Sequence, residues 1–163
     1  MFATGACGKS RIGALVAERL GLPLVEGDEF HSAANRALMR DGIALTDADR
    51  AGWLDRLGSE LQLRPDGAVL TCSALKASYR DRLRDAAAGL RFAWLDLDRA
   101  SAEARVCRRP SHFFPAGLVA TQFEALEPPL HEPGVLRVDA LMAPEAIAAH
   151  VVQWMRPSSS NDC

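Results

Sequence analysis

The chain has 163 residues, 48% hydrophobic and 25% charged, with a formal net charge of -2; that length supports one domain with a buried core and is short for two. The balance of charge gives no electrostatic reason to bind nucleic acid or an anionic membrane, and no apolar run approaches the roughly 20 residues that span a bilayer. The opening residues lack the regions of a secretion signal, and Cys7, Cys72, Cys107 and Cys163 form no CxxC pair that would suggest zinc or a disulfide framework, so a cytoplasmic location is expected.

From Lys9 to Leu20, the residues Ile12, Leu15, Val16 and Leu20 share one helical face, and Gly21 beside Pro23 stops the helix. A very short apolar segment, Leu24-Val25, ends at Glu26-Gly27-Asp28. Thr46 and Asp47 can cap a second helix in which Trp53, Leu54, Leu57 and Leu61 recur at helical spacing, and Pro65-Asp66-Gly67 turns the chain after it.

Ala68 to Cys72 reads as a buried strand, followed by a helix near Lys76 to Ala88; Phe92 to Leu97 is another strand, followed by a helix from about Ser101. The segment Arg109 to Pro115 breaks the rhythm before a helix near Leu118 to Leu126. Val135 to Asp139 is a last strand, backed by a helix from Pro144 to Met155, and 158–163 reads as a disordered tail. Strand and helix in alternation predict an α/β fold with a parallel sheet covered on both faces.

Gly8-Lys9-Ser10 opens the first helix. A Gly-rich turn there lets backbone N–H groups wrap phosphate oxygens, with Lys9 on the outer phosphates and the Ser10 hydroxyl on Mg²⁺. The full pattern G-x-x-x-x-G-K-[ST] asks for Gly where Ala3 stands. The strand that should deliver the loop is almost absent ahead of Gly5, so a truncated first strand, with ladder bonds unmade on both neighbours, is expected. An intact first strand in a chain extended upstream should then make the protein more stable.

Further along, Glu26-Gly27-Asp28-Glu29-Phe30-His31, Asn35, Met39, Gly42, Leu45, Asp47-Ala48-Asp49-Arg50 and Trp53-Leu54 resemble the gluconokinase stretch "DGD, HP, N, KM, G-x-PL, D-x-DR, WL". The resemblance continues in Cys72-Ser73-Ala74-Leu75-Lys76 with Tyr79-Arg80-Asp81, and in Arg109, His112-Phe113-Phe114, Thr121 to Glu124 and Leu126-Glu127-Pro128. Glu26, Ser32, Leu38 and Ala44 depart from the family's Asp, Pro, Lys and Pro. The resemblance implies one P-loop kinase domain over 1–157, with a core sheet, a helical substrate region and a lid over about 105–127. It also implies ATP-dependent phosphorylation of the 6-hydroxyl of D-gluconate, with ATP and Mg²⁺; a homodimer is compatible with it.

On that reading, Gly5, Ala6, Cys7, Gly8, Lys9 and Ser10 cradle the nucleotide, and Ser10 with Glu26 serves the metal. Asp28, at the carboxyl end of a core strand where open α/β sheets bind ligands, orients or accepts the proton of the attacking hydroxyl; its bland alternative is a cap for the following helix. Lys9, Asp28 and Arg109 carry the chemistry, Arg109 closing from the lid. A sugar acid's carboxylate needs fixed cationic donors, and the Arg fork suits it; Arg50 and Arg80 are the candidates, with His31 and His112 shaping the pocket. Asp47 and Asp49 read as surface charges of a helix start, Arg105 and Arg108 as a solvated helix face, and Gln122 to Glu124 as helix packing.

Two other readings remain open from the residues alone. One is a related small-molecule kinase of the same fold, such as a shikimate or adenylylsulfate kinase. The other is a degenerate, non-catalytic P-loop binding protein, for which Ala3 and the missing strand speak.

Overall fold

In the computed structural model, which describes residues 8–107 and 117–156, helix α1 (Lys9–Leu20) is followed by strand β1 (Leu24–Glu26), a 3-10 turn (Gly27–Phe30) and α2 (Ala33–Arg40). Then come α3 (Asp47–Gln62), β2 (Val69–Thr71), α4 (Ala77–Ala86), β3 (Phe92–Asp96), α5 (Arg99–Cys107), α6 (Gly117–Ala125), β4 (Val135–Asp139) and α7 (Pro144–Met155). The strands and helices expected from periodicity are all present within a few residues. Helix α2 and the 3-10 turn are additions to that expectation, because Asn35 is the one buried residue of α2 and leaves no apolar stripe to read. The start of α3 is also resolved more finely: Thr46 is the cap, and its reciprocal partner is Asp49, not Asp47.

The strands form two parallel pairs among the described residues. β1 runs beside β2 with Leu24 opposite Val69 and Glu26 opposite Thr71, and β3 beside β4 with Phe92 opposite Val135 and Asp96 opposite Asp139. An apolar pocket is lined from both pairs, by Val69, Leu70 and Cys72 on one side and Phe92 and Ala93 on the other, with α1 and α7 contributing Val16 and Val151. The first strand expected ahead of Gly5 lies outside the described residues.

Two apolar clusters follow from this division. Ile12 and Val16 of α1 join Ala93, Leu95, Val138, Ile147 and Val151 in one; Trp53, Leu54, Leu57 and Leu83 from α3 and α4 cover β1 and β2 in the other. Helix α1 lies so close to β2 that a Cβ on Gly13 would fall 2.4 Å from the Thr71 methyl, which fixes the first turn of α1 beside the ends of β1 and β2.

Candidate active site

The site gathers at the carboxyl ends of β1 and β2. Gly8, at φ +80°, precedes α1 in the left-handed region where glycine is at ease. Among the described residues no side chain caps the helix and no acidic residue stands in its first turn, which suits its N–H groups and dipole to an anion. Lys9 and Ser10 open the helix. The Ser10 hydroxyl donates to Glu26 Oε2 at 3.0 Å, and the Thr71 hydroxyl donates to the same oxygen at 2.5 Å. The fold thus brings together Ser10 and Glu26, the two residues expected at the metal, and adds Thr71 to them.

Beyond Glu26 the backbone has little freedom. A Cβ on Gly27 would lie 2.4 Å from the Thr71 carbonyl oxygen and 3.0 Å from Cys72 Cβ. The Trp53 indole donates to the Gly27 carbonyl at 2.7 Å, and Arg56 donates to that of Phe30 at 3.2 Å. Asp28 stands exposed on this pinned turn, and the helix that follows is capped by Ser32, whose hydroxyl accepts from the Asn35 N–H.

His31 is buried and stacks on Trp53 with ring centroids 4.5 Å apart and planes 10° from parallel. Burial pushes its pKa down to about 4; the nearby Asp28 opposes this, and Arg50 and Arg36 add to it. Its ring is therefore neutral at pH 7. Expected in the substrate pocket, His31 instead supports the floor of the Asp28 turn, because one ring face is covered by Trp53 and it does not line the cleft described next.

That cleft is lined by Thr46, Asp47, Arg50, Lys76, Tyr79 and Gln122, among others. The helix start that supplies Thr46, Asp47 and Arg50 is braced by Asn35, whose amide donates to the Asp49 carbonyl at 2.8 Å, tying α2 to the start of α3. Burial holds the Arg50 guanidinium below its ordinary pKa, with Tyr79, Asp47, Asp28 and Asp49 pulling the other way. It lies 5.9 Å over the Tyr79 ring. Lys76 Nζ lies 5.8 Å over the same ring and donates to Asp47 at 2.7 and 2.8 Å.

Arg80 is a correction. Expected to meet the substrate, it has no exposed surface. Its Nε donates to Glu132 at 2.9 Å, its Nη1 to the carbonyls of Ala74 and Leu75 at 2.9 and 3.0 Å, and its Nη2 to the Glu127 carbonyl at 3.0 Å and to Glu132. These bonds use all five N–H groups of a guanidinium. Arg80 thus ties the loop before α4 to the segment after α6, where Glu127 also accepts from the Ala77 N–H at 2.6 Å. Glu132 is held below the usual carboxylate range by Arg80, with Arg84 adding to it.

Gly5, Ala6 and Cys7 of the expected phosphate loop, and Arg109 and His112 of the expected lid, lie outside the described residues. Arg105 donates to the Ala140 carbonyl at 2.8 Å, more engaged than a solvated helix face, and Phe123 packs on the first core cluster as expected. Thr71, Lys76 and Tyr79 join the site without a role assigned from the sequence. The signal for the last two is their place in the block shared with the resembled family.

No family model matches the chain. It is 41% identical over 136 residues to the thermosensitive gluconokinase of Escherichia coli (strain K12), covering 81% of this chain and 73% of that protein. The solved structure of a gluconokinase from Sinorhizobium meliloti 1021 superposes with a TM-score of 0.83 at 37% identity, over 94% of this chain and 92% of that one. A shikimate kinase from Aquifex aeolicus shares the fold alone, with a TM-score of 0.60 at 14% identity, over 94% and 92% of the two chains. Among the described residues, no helix is long and apolar enough to cross a membrane.

Proposed function

The chain belongs to the gluconokinase family of P-loop kinases, and from that membership we propose that it transfers the γ-phosphoryl group of ATP to the 6-hydroxyl of D-gluconate. The observation that carries the substrate half of this reading is Arg50: a largely desolvated guanidinium in an open cleft, with no hydrogen-bond acceptor among the described residues. Such a group is costly to bury unpaired, and a carboxylate that enters the cleft relieves that cost.

Phosphoryl transfer depends mainly on positioning and on neutralising charge. The open start of α1 and Lys9 take the phosphates. Asp28 stands at the next strand end and receives the proton of the attacking hydroxyl, while the Trp53 and Gly27 contacts keep its turn from moving. The family resemblance adds Arg109 and His112 from the lid.

The Ser10 hydroxyl and Glu26 carboxylate, 3.0 Å apart, are hard oxygen donors that fit Mg²⁺, an ion that takes one or two protein groups and completes its shell with phosphate and water. Bound there, it would screen the phosphate charge. Thr71, which donates to the same Glu26 oxygen, fixes the carboxylate's orientation.

The test is a coupled ADP-release assay with gluconate, shikimate, adenylylsulfate and nucleoside monophosphates. Gluconate should be turned over well ahead of the rest, and Arg50→Met should raise its KM. A preference for shikimate would overturn the substrate. ATP binding with no gluconate-stimulated ADP release would return the protein to the non-catalytic reading.

A further inference from the structure

Asp47 is the first residue of α3, yet it has no part in capping that helix, since Thr46 and Asp49 bond reciprocally across the start. Its carboxylate instead leans across the cleft toward α4. It accepts from Lys76 Nζ at 2.7 and 2.8 Å and from the Tyr79 hydroxyl, and Arg50 is near enough for each to feel the other's charge. The cations are the sheltered partners: the Lys76 side chain is 29% exposed and that of Asp47 is 65% exposed. An ammonium, a phenolic hydroxyl and a guanidinium therefore surround one carboxylate at the mouth of the cleft, and they are the donors a sugar acid's carboxylate requires.

Resting on the gluconate reading, we propose that Asp47 is a place-holder: its carboxylate fills the subsite of Lys76, Tyr79 and Arg50 until the carboxylate of the substrate takes it over. The exchange replaces one anion by another, so Lys76 stays paired throughout, and Arg50, which feels Asp47 only through its charge, gains a direct partner. Asp47, already at the surface, turns to water with little change in solvation. A neutral sugar or polyol brings no charge and must leave Asp47 where it is. The displacement itself then selects acids over neutral sugars, so discrimination comes from the competitor inside the site as well as from attraction to the right ligand.

Calorimetric titration without ATP tests this. Asp47→Asn keeps the helix cap and removes the competing charge; gluconate should bind roughly fivefold tighter, the size of a half-exposed ion pair, and Asp47→Ala should act in the same direction. Lys76→Met should weaken gluconate by roughly tenfold or more, as loss of a charged hydrogen bond does. Neutral D-glucitol should respond to neither change. If Asp47 is a fixed wall that orients Lys76, Asp47→Asn and Asp47→Ala will weaken gluconate or leave it unchanged, and the proposal falls. Acetate, followed by NMR on the same variants, reads the subsite independently of the substrate. Wild-type protein that fails to phosphorylate gluconate would sink the functional reading. The place-holder would still stand if acetate binds tighter in Asp47→Asn and is lost in Lys76→Met, and would fall if it does not.

Discussion

The indole N–H of Trp53 meets the carbonyl of Gly27 at 2.7 Å, so a core residue of α3 holds the turn that presents Asp28. Trp53→Phe keeps most of the packing and the stack on His31 but leaves that carbonyl without its donor. A buried group left unpaired costs about 1–3 kcal/mol. The urea midpoint should fall accordingly, and kcat should fall more than KM changes, because the turn carries the proposed proton acceptor. An unchanged kcat in a destabilised variant would show that the turn is held by other contacts.

Two glycines should respond oppositely to alanine. At Gly27 the new methyl would press on the backbone oxygen of Thr71, which cannot swing aside, and overpacking of this kind costs about 1–3 kcal/mol or more. At Gly52, inside α3, nothing lies within 4 Å of the added carbon, and the gain in helix propensity should stabilise by roughly 0.5–1 kcal/mol. Denaturant melts of the two variants decide it; equal shifts would mean that the close approach at Gly27 is not kept in solution.

Arg80→Ala removes one side of a buried ion pair and frees the acceptors on Ala74, Leu75 and Glu127, so it should destabilise by roughly 3–5 kcal/mol. Arg80→Lys, which keeps the charge and loses the fork, should recover only part of this. Gluconate affinity in whatever protein remains folded should change less than in Arg50→Met. A normal melt with a raised gluconate KM would restore Arg80 to the substrate pocket.

Arg80 also marks where a single sequence stops being informative. The amphipathic stripe of α3 and the apolar strands are local patterns, and so is the Gly-Lys-Ser helix start, so these elements can be read directly. The partners that decide a charged residue's role are far along the chain: Glu132 is 52 residues from Arg80, Asp47 is 29 from Lys76, and Glu26 is 45 from Thr71. Arg50 and Arg80 look alike as letters, yet one lines a cleft and the other is fully spent on carbonyls and a carboxylate. Nothing local separates them. Helix α2 escapes a sequence reading for the opposite reason, since a short helix with one buried polar residue offers no hydrophobic period to detect.

His31 should give the protein an acid-sensitive step. Its folded pKa, about 4, lies below the ordinary value of about 6.5, so between those values the unfolded chain binds the proton more readily. Stability should therefore be full above about pH 6.5 and decline as pH falls toward 4, by something on the order of 3 kcal/mol for this group alone. Asp47, Asp49 and Glu132, held low by their hydrogen bonds, add losses only at lower pH, in the carboxylate range. Urea midpoints at pH 7 and pH 5 should differ less in His31→Gln than in wild type, and an identical difference in the two would show that the imidazole takes up its proton in the folded state without penalty.

The chemistry is tested by separating the proton from the phosphates. Asp28→Asn preserves shape on a turn that Gly27 and Trp53 hold in place, and removes the proposed proton acceptor, so kcat should fall by roughly 10²- to 10⁴-fold. ATP affinity should survive, because the group removed is a carboxylate and not a cation that holds the phosphates. Lys9→Met removes a charge that acts on bound ATP as well as on the transferring group, so both ATP affinity and turnover should suffer. Titrating ATP in the absence of gluconate distinguishes the two variants before any turnover is measured. An Asp28→Asn protein with wild-type turnover would reduce Asp28 to an exposed carboxylate at a strand end, and the proton would need another acceptor even with the kinase assignment intact.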